Sequence, residues 1–354
     1  MARAGFSFRD GERLIRFAAA AVAEAPELIE AQGLGGYALL STQRALGSAP
    51  PSLVEGAEVV LNVPHGPVPE AAAAVREAVA GRPMVALGGG RVIDAAKAIA
   101  GVDGLRCAAI PTTLAGSSFT PFHRMPAGVG DFSFVRPALA VCDPALMASA
   151  PMGGLAATAM NALAHAVESL YAPGANPVAE GAALRAASLF ARGLPLDPPV
   201  AEDIALAAVL AGWAVGTTGL AVHHALCQAI VREAGTPHAQ TNAVILPHTV
   251  AFMAERAPRV GAALAGALGA VGDDPAEAAA KVAELAALAG PSTLAELGVD
   301  EDRIPAIASA ASAHPGMAGT PGGVGQQDLF GLLGRALGPN SLRSRASPAP
   351  GATG

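Results

Sequence analysis

The chain has 354 residues and a formal net charge of −7, and 52% of its residues are apolar while only 14% are charged. This length exceeds one typical hydrophobic core and predicts two domains. The basic residues are almost all arginines and form no run, which argues against a nucleic-acid partner. The three cysteines form no CxxC pair, so we expect a reduced protein of the cytoplasm.

Residues 1–150 alternate short apolar runs with alanine-rich stretches. The apolar runs predict buried strands at 37–41, 59–63, 84–87 and 108–111. The stretches between them predict helices at 69–80 and 92–100. Because this alternation is typical of a parallel sheet covered by helices, we predict an α/β domain over residues 1–150.

The remainder of the chain has a helical pattern. Proline and glycine interrupt it at 173–174, 195–199, 235–237 and 290–291. We predict a helical domain over 151–338 that carries the histidine cluster described below, with the boundary at 144–151. The tail at 339–354 is rich in Ser, Pro, Gly and Ala, and we expect it to be disordered.

One stretch is long enough to cross a bilayer. Ile204–Val231 contains no Asp, Glu, Lys or Arg. It nevertheless contains Trp213, His223, His224 and Gln228, whose polar atoms are costly in lipid. We therefore predict a pair of buried helices and no association with a membrane.

Half of the eight histidines lie in the short segment from 223 to 248. His224 and His238 would lie roughly 21 Å apart along a continuous helix, so they can meet only if the helix ends between them. Gly235 and Pro237 predict that end. The alternative is a set of separate core histidines, each bonded to a backbone carbonyl.

A second polar pair lies upstream. Asn161 and His165 are four residues apart, which places both side chains on one helix face. Burying such groups unpaired costs a few kcal/mol each. We therefore expect them to converge with the later histidines, on a metal or on a ligand.

Two loops follow predicted strands and have the composition of nucleotide-binding loops. Gly88, Gly89 and Gly90 precede a helix, whose N-terminus is suited to phosphate, although glycine also serves turns for purely conformational reasons. The hydroxyls at 112, 113, 117 and 118 follow the next strand and either bond a nucleotide or cap a helix. Since both loops leave the carboxyl ends of parallel strands, together they predict a nucleotide site.

These two loops resemble segments of the iron-containing (group III) alcohol dehydrogenases. The resemblance extends to Asp143-Pro144-Ala145-Leu146, Asn161 to Ala172, His224 to Cys227 and Pro237 to Ala239. Within that family the chain is similar to the maleylacetate reductases. The resemblance implies a Rossmann-like dinucleotide-binding α/β domain, an all-helical C-terminal domain of the dehydroquinate synthase-like fold, and an active site in the cleft between them. It also implies a homodimer.

The resemblance implies contacts to a nicotinamide cofactor, NADH or NADPH. Gly88, Gly89, Gly90 and Asp94 would hold the pyrophosphate region, and Thr112, Thr113 and Ser117 would contact the rest of the nucleotide. The position that is usually acidic, and that bonds the ribose 2′-hydroxyl, is Ser41 here. Because a carboxylate is absent there, a 2′-phosphate should be tolerated.

The family's metal-binding positions correspond to Asn161, His165, His224 and His238. An amide in place of aspartate removes the only anionic ligand, and hard cations favour anionic oxygen. Maleylacetate reductases resemble this chain in having Asn there. We therefore expect no tightly bound metal; if one were present, the three histidines would hold it.

Several positions depart from the family pattern. The family usually has histidine at the positions of Gln228 and Asn242, serine at Arg91, and a glycine pair where this chain has Phe17-Ala18-Ala19-Ala20. The first two losses remove proton donors from the expected site.

The activity implied is reduction of an activated C=C, or of a C=O, in a small oxo acid. The enolate formed would be stabilised by Asn161, His165, His224 and His238, with Gln228 beside them. Arg124 is a candidate for binding the charge of the substrate. The alternative interpretation is that it is a solvated surface arginine. Two other classes stay open, a metal-dependent alcohol dehydrogenase or aldehyde reductase and a homologue with a non-redox or ligand-binding role.

Overall fold

The computed structural model describes residues 6–131, 133–272 and 274–338. The tail at 339–354, for which we predicted disorder, lies outside these residues. Seven strands of the described chain form one sheet in the order β1-β2-β7-β6-β5-β3-β4, and all its strand pairs are parallel except β1 with β2. The strands are β1 (Phe6–Asp10), β2 (Arg13–Phe17), β3 (Ala38–Ser41), β4 (Val59–Asn62), β5 (Met84–Gly88), β6 (Cys107–Pro111) and β7 (Leu139–Cys142).

Six α-helices lie within the described part of the first 150 residues. They are α1 (Ala25–Ala31), α2 (Gln43–Leu46), α3 (Pro51–Glu55), α4 (Val68–Val79), α5 (Gly90–Asp103) and α6 (Pro144–Met147). Alternate strand residues face opposite sides of the sheet: Ala38 and Leu40 pack in the cluster that contains α4 and α5, and Leu39 packs in the cluster that contains α1. The predicted α/β fold is confirmed.

The rest of the described chain is helical. The helices are α7 (Met152–Ser169), α8 (Pro177–Gly193), α9 (Ala201–Thr218), α10 (Val222–Ala234), α11 (His238–Arg256), α12 (Pro258–Ala267), α13 (Ala276–Ala286), α14 (Ile304–Ser312) and α15 (Gln326–Leu337). They enclose the largest core cluster. Phe119, fully buried in the second glycine-containing loop, packs on Gly212 of α9, where a Cβ would lie 2.7 Å from the Phe119 ring.

The break between His224 and His238 falls where the sequence predicts it. Gly235 ends α10 in the left-handed conformation with φ 70°, and Pro237 precedes the first residue of α11. The uncharged run forms α9 and α10, which are bent by 98° and are largely buried. Within the described residues no single helix is long and apolar enough to span a membrane, although that bent pair has the combined length and composition.

The four predicted strands are present, but three further strands were missed. β7 is a four-residue run, and β1 and β2 form a hairpin across Gly11, whose φ is 64°. β2 alternates buried and half-buried residues and includes two arginines, so it lacks the apolar run by which we identified the other strands. Ala20, near the position of the family's glycine pair, adopts a φ of 56°, which favours glycine.

Candidate active site

The triple glycine connects β5 to α5 and allows close packing there. A Cβ at Gly89 would lie 3.1 Å from the Thr113 side chain, and one at Gly90 would lie 3.1 Å from Ser117 Oγ. The N-cap Gly89 has no side chain to cap α5, so the first N–H groups of this helix remain available to an anion. The loop therefore fits the phosphates of a dinucleotide.

Asp94 and Ser117 join α5 to the second loop. Ser117 Oγ donates to Asp94 Oδ2 at 3.1 Å, and the fully buried Lys97 donates to Asp94 Oδ1 at 2.9 Å. Lys97 also donates to the carbonyls of Ser117 (3.1 Å) and Phe122 (2.6 Å). Both Asp94 oxygens are thus engaged within the protein, and its expected contact with the pyrophosphate region stays a prediction.

The remaining residues expected at the cofactor lie in the same part of the sheet. The Ser41 hydroxyl is buried and donates to the Leu87 carbonyl at 2.8 Å, so the tolerance of a 2′-phosphate rests on the missing carboxylate and not on a contact from this hydroxyl. Thr112 is buried, and Thr113 Oγ1 accepts from the Ala115 N–H at 3.4 Å. Arg91, in the first turn of α5, lies 3.0 Å from His65 Nδ1 through its Nη1.

The structure brings the four metal-position residues together. Asn161 and His165 project from α7, and the rings of His165 and His224 stack with centroids 4.5 Å apart and planes 8° apart. Asn161 Oδ1 lies 3.4 Å from His224 Nε2. His238 begins α11 and lowers the pKa of both His165 and His224, whose pKa values are lowered chiefly by burial. Asn161, His165 and His224 are thus in contact, and His238 acts electrostatically on both of these imidazoles.

Gly116 determines how closely this site approaches the second loop. A Cβ at that position would lie 2.7 Å from the His165 ring. The His165 Nδ1 atom is buried without a hydrogen-bond partner among the described residues. The family-typical glycine thus allows an imidazole edge to lie against the cofactor loop.

Glu168 is a functional residue whose role the sequence analysis missed. It is fully buried, and its Oε1 accepts from the backbone N–H groups of Ala221 (3.1 Å) and His224 (3.2 Å). Its Oε2 lies 2.6 Å from His224 Nδ1. Burial lowers the pKa of His224 to about 3 and raises the pKa of Glu168. Because two backbone donors already favour the carboxylate form, we interpret the pair as a neutral imidazole that donates from Nδ1 to a carboxylate. The available signal was the i, i+3 spacing from His165.

His223, the neighbour of His224, is a core histidine. Its Nδ1 lies 2.9 Å from Thr249 Oγ1 and its Nε2 lies 2.9 Å from Asn242 Oδ1, and burial lowers its pKa to about 3. Asn242 in turn donates to the His238 carbonyl at 2.7 Å. The asparagine at this divergent position thus supports the first turn of α11.

The donor set does not fit a divalent cation as arranged. Asn161 contributes no negative charge, and the described residues contain no group of three or more His, Cys, Asp or Glu placed to hold a metal ion. The expected metal independence stays a prediction, and we derive no chemical step through a metal.

Gln228 and Arg124 are two further residues that the sequence analysis singled out. Gln228 is half-buried on α10, and its Oε1 lies 3.2 Å from Nε2 of His314, a residue that the sequence analysis did not single out. Desolvation lowers the pKa of His238, Asp94 raises it, and the charge of the exposed Arg124 lowers it further.

Comparisons with known proteins agree with this arrangement. The C-terminal profile of the Fe-containing alcohol dehydrogenase family matches residues 155–337. Maleylacetate reductase 2 of Cupriavidus pinatubonensis is 39% identical over 230 residues, covering 62% of this chain and 64% of that protein, slightly less than two thirds of its length. Maleylacetate reductase of Sphingobium indicum is 36% identical over 291 residues, covering 79% and 80%.

The fold is shared as well. The crystal structure of maleylacetate reductase from Rhizobium sp. strain MTP-10005 superimposes with a TM-score of 0.80 at 32% identity, over 95% of this chain and 98% of that one. The profile and the Sphingobium relative each cover enough of the chain to assign its family. The chain belongs to the iron-containing alcohol dehydrogenase family.

Proposed function

We propose that this protein is an NAD(P)H-dependent oxidoreductase that reduces the activated carbon–carbon double bond of a small unsaturated oxo acid of the maleylacetate type. The observation that supports the proposal is the contact of Asn161, His165 and His224, with His238 acting electrostatically on both imidazoles, together with a glycine loop that fits a dinucleotide. The names of the relatives support the substrate class.

The sheet loops would hold the cofactor. The N-terminus of α5 and the glycines before it face the phosphates, and Thr113 and Ser117 line the adjoining loop. When bound, a reduced nicotinamide supplies a hydride to the alkene carbon β to the ketone. The close contact of Gly116 with His165 brings the second loop against the histidine site.

The histidine site would stabilise the enolate that forms when the hydride adds. As the hydride adds, the alkene electron pair moves onto the ketone oxygen, and the resulting enolate needs hydrogen-bond donors. Asn161 Nδ2 and the imidazoles of His165 and His238 can supply neutral N–H groups, whereas the one N–H of neutral His224 lies on Nδ1 and is donated to Glu168. Glu168 orients His224, because it holds both the backbone and Nδ1 of that residue.

A proton must then reach the carbon α to the ketone. We assign this step to His238, because it is the one of the three site imidazoles that is solvent-exposed, so it can be reprotonated from water. One hydride and one proton thus saturate the double bond, and the reduced cofactor is oxidised.

Two measurements test the proposal. Quenching or enhancement of reduced-nicotinamide fluorescence on titration with NADH and NADPH tests cofactor binding, and absorbance at the nicotinamide band follows oxidation with maleylacetate. We expect both cofactors to bind and maleylacetate to be reduced after dialysis against a chelator. Absence of cofactor binding would favour a non-redox role, and reduction of simple aldehydes that chelation abolishes would favour a metal-dependent alcohol dehydrogenase.

The proposal extends to the setting of the protein. We propose a homodimer in the cytoplasm, which acts on a small molecule without a nucleic-acid or membrane partner. Light scattering coupled to size exclusion tests the dimer, with elution as a monomer as the contrary result.

A further inference from the structure

His314 lies far from α10 in sequence but contacts its site-facing side. It precedes the short 3-10 helix Pro315–Gly319, and its Nδ1 accepts the Gly316 N–H at 3.0 Å. Since Nδ1 is the acceptor, the neutral ring carries its hydrogen on Nε2. That N–H points to Gln228 Oε1 at 3.2 Å. His314 thereby determines which end of the Gln228 amide is the oxygen.

The other end of the amide is left free to bind a ligand. With Oε1 accepting from His314, Gln228 Nε2 presents two N–H donors, and no described residue accepts from them. Gln228 lies one turn after His224 on α10, so the two side chains share a helix face. The free donors therefore border the histidine site.

A positive charge also acts on this part of the molecule. Arg124 is exposed, and no described residue pairs with its guanidinium. Desolvation is the largest cause of the lowered pKa of His238 and of His314, and the charge of Arg124 lowers both pKa values further. The other charges that act on His314 are Glu168, which raises its pKa, and Arg232, which lowers it. Asp94 raises the pKa of His238, but its carboxylate is engaged by Lys97 and Ser117. Because Glu168 is likewise occupied with α10, Arg124 is the charge left to act on a ligand at this edge.

We propose that Gln228 and Arg124 form a carboxylate notch, which binds one carboxylate of a dicarboxylic oxo acid and in which His314 is a positioning residue. Two amide N–H groups and a guanidinium match the lone pairs of a carboxylate. The inference rests on the proposed function, since it names how that substrate's charge is recognised. The notch provides a function for a glutamine at a position where the family usually has histidine.

Three variants separate the roles. Gln228→Leu removes the amide at similar volume, and Arg124→Gln removes the charge. His314→Asn is the matched test of positioning, because a shorter Asn still accepts the Gly316 N–H as a cap but lacks the Nε2–H donor to Gln228. We expect KM for maleylacetate to rise about tenfold in the first two variants and about threefold in the third, with kcat within about twofold and NADH affinity unchanged.

A double variant tests whether His314 acts through Gln228. In the Gln228→Leu background, His314→Asn should raise KM no further, because its only effect is to orient an amide that is then absent. Additive effects would assign His314 a separate role and would overturn its positioning function. An unchanged KM in Gln228→Leu or Arg124→Gln, or a fall in NADH affinity that parallels KM, would overturn the notch.

A binding measurement keeps this test independent of turnover. Adipate, a saturated six-carbon dicarboxylate, is titrated calorimetrically into the protein with and without NADH. The notch predicts binding by the wild type that weakens about tenfold in Gln228→Leu and Arg124→Gln. If the wild type binds adipate in this way but does not reduce maleylacetate, the proposed function fails and the notch stands. If the wild type does not bind adipate, or the variants bind it equally well, the notch is wrong whatever the turnover shows.

Discussion

The two halves of the site differ in how closely they keep the family's chemistry. In the sheet half, the triple glycine, Asp94, Lys97 and Ser117 retain the family residues and form a tightly packed phosphate cradle. In the helical half, Asn161, Gln228 and Asn242 stand where a carboxylate or imidazoles are usual. Gln228 is bonded to His314 and Asn242 to His223, and Asn161 Oδ1 lies 3.4 Å from His224 Nε2. The sheet half thus keeps its glycine loop despite the departures at Arg91 and Ser41, whereas the helical half has amides at three positions where the resemblance implies charged or titratable groups.

The largest effect is expected at Glu168, which holds the helical half together. Glu168→Leu leaves two backbone N–H groups and His224 Nδ1 buried without an acceptor, which should cost roughly 3 kcal/mol or more. Denaturant unfolding measures the loss. Glu180→Leu, at an exposed position of α8, is the control and should change stability little. If the free energy of unfolding falls no further in Glu168→Leu than in Glu180→Leu, the hydrogen bonds of Glu168 do not stabilise the protein.

Acid should destabilise the helical half through its buried imidazoles. The pKa of His223 is about 3 in the folded protein against an ordinary 6.5, so the unfolded chain binds the extra proton between these values. The contribution of neutral, buried His223 to the free energy of unfolding is complete above pH 6.5. That free energy is about 2 kcal/mol lower at pH 5 and continues to fall toward pH 3.

The variant His223→Gln isolates this contribution. It should be less stable than the wild type at pH 7.5, but should lose about 2 kcal/mol less on transfer to pH 5. Urea unfolding at both pH values provides the comparison. Equal losses in the two proteins would show that His223 is not a buried neutral imidazole.

The features of the two halves that could be predicted from sequence are those formed by residues close together in the chain. Strand, glycine loop and helix are local patterns, so β5 and α5 were predicted closely from sequence. The break at Gly235 was likewise local. His314 was not predictable, because its contact with Gln228 spans 86 residues and its own segment carries only a turn pattern. The resemblance identified which residues share the site, but the partners of the divergent amides are visible only in the folded chain.

The contact between the halves should be sensitive to a single methyl group. In Gly116→Ala the new Cβ would meet the His165 ring at 2.7 Å, so the ring or the loop must shift. We expect kcat/KM to fall about tenfold, equivalent to roughly 1.4 kcal/mol of transition-state stabilisation. Gly266→Ala is the control, because a Cβ there meets nothing within 4 Å. If Gly116→Ala and Gly266→Ala are equally active, the contact between Gly116 and His165 does not affect catalysis.

The smallest effect concerns the backbone of the sheet half. Ala20 adopts a φ of 56°, a conformation that costs an alanine about 1–2 kcal/mol and a glycine little. Because glycine loses more entropy on folding, Ala20→Gly should stabilise the protein by no more than about 1 kcal/mol. Ala73→Gly, at an exposed position within α4, should instead destabilise by about 1 kcal/mol. Destabilisation by both would show that Ala20 is unstrained.

The central claim is that Asn161, His165, His224 and His238 form one site in which an amide has replaced the carboxylate that a metal needs. Calorimetric titration of the wild type and of Asn161→Asp with Zn²⁺ tests it most directly. Because a carboxylate with three imidazoles suits this ion, the variant should bind Zn²⁺ measurably while the wild type does not. If the variant binds Zn²⁺ no better than the wild type, the four side chains do not act as one site and the account is wrong.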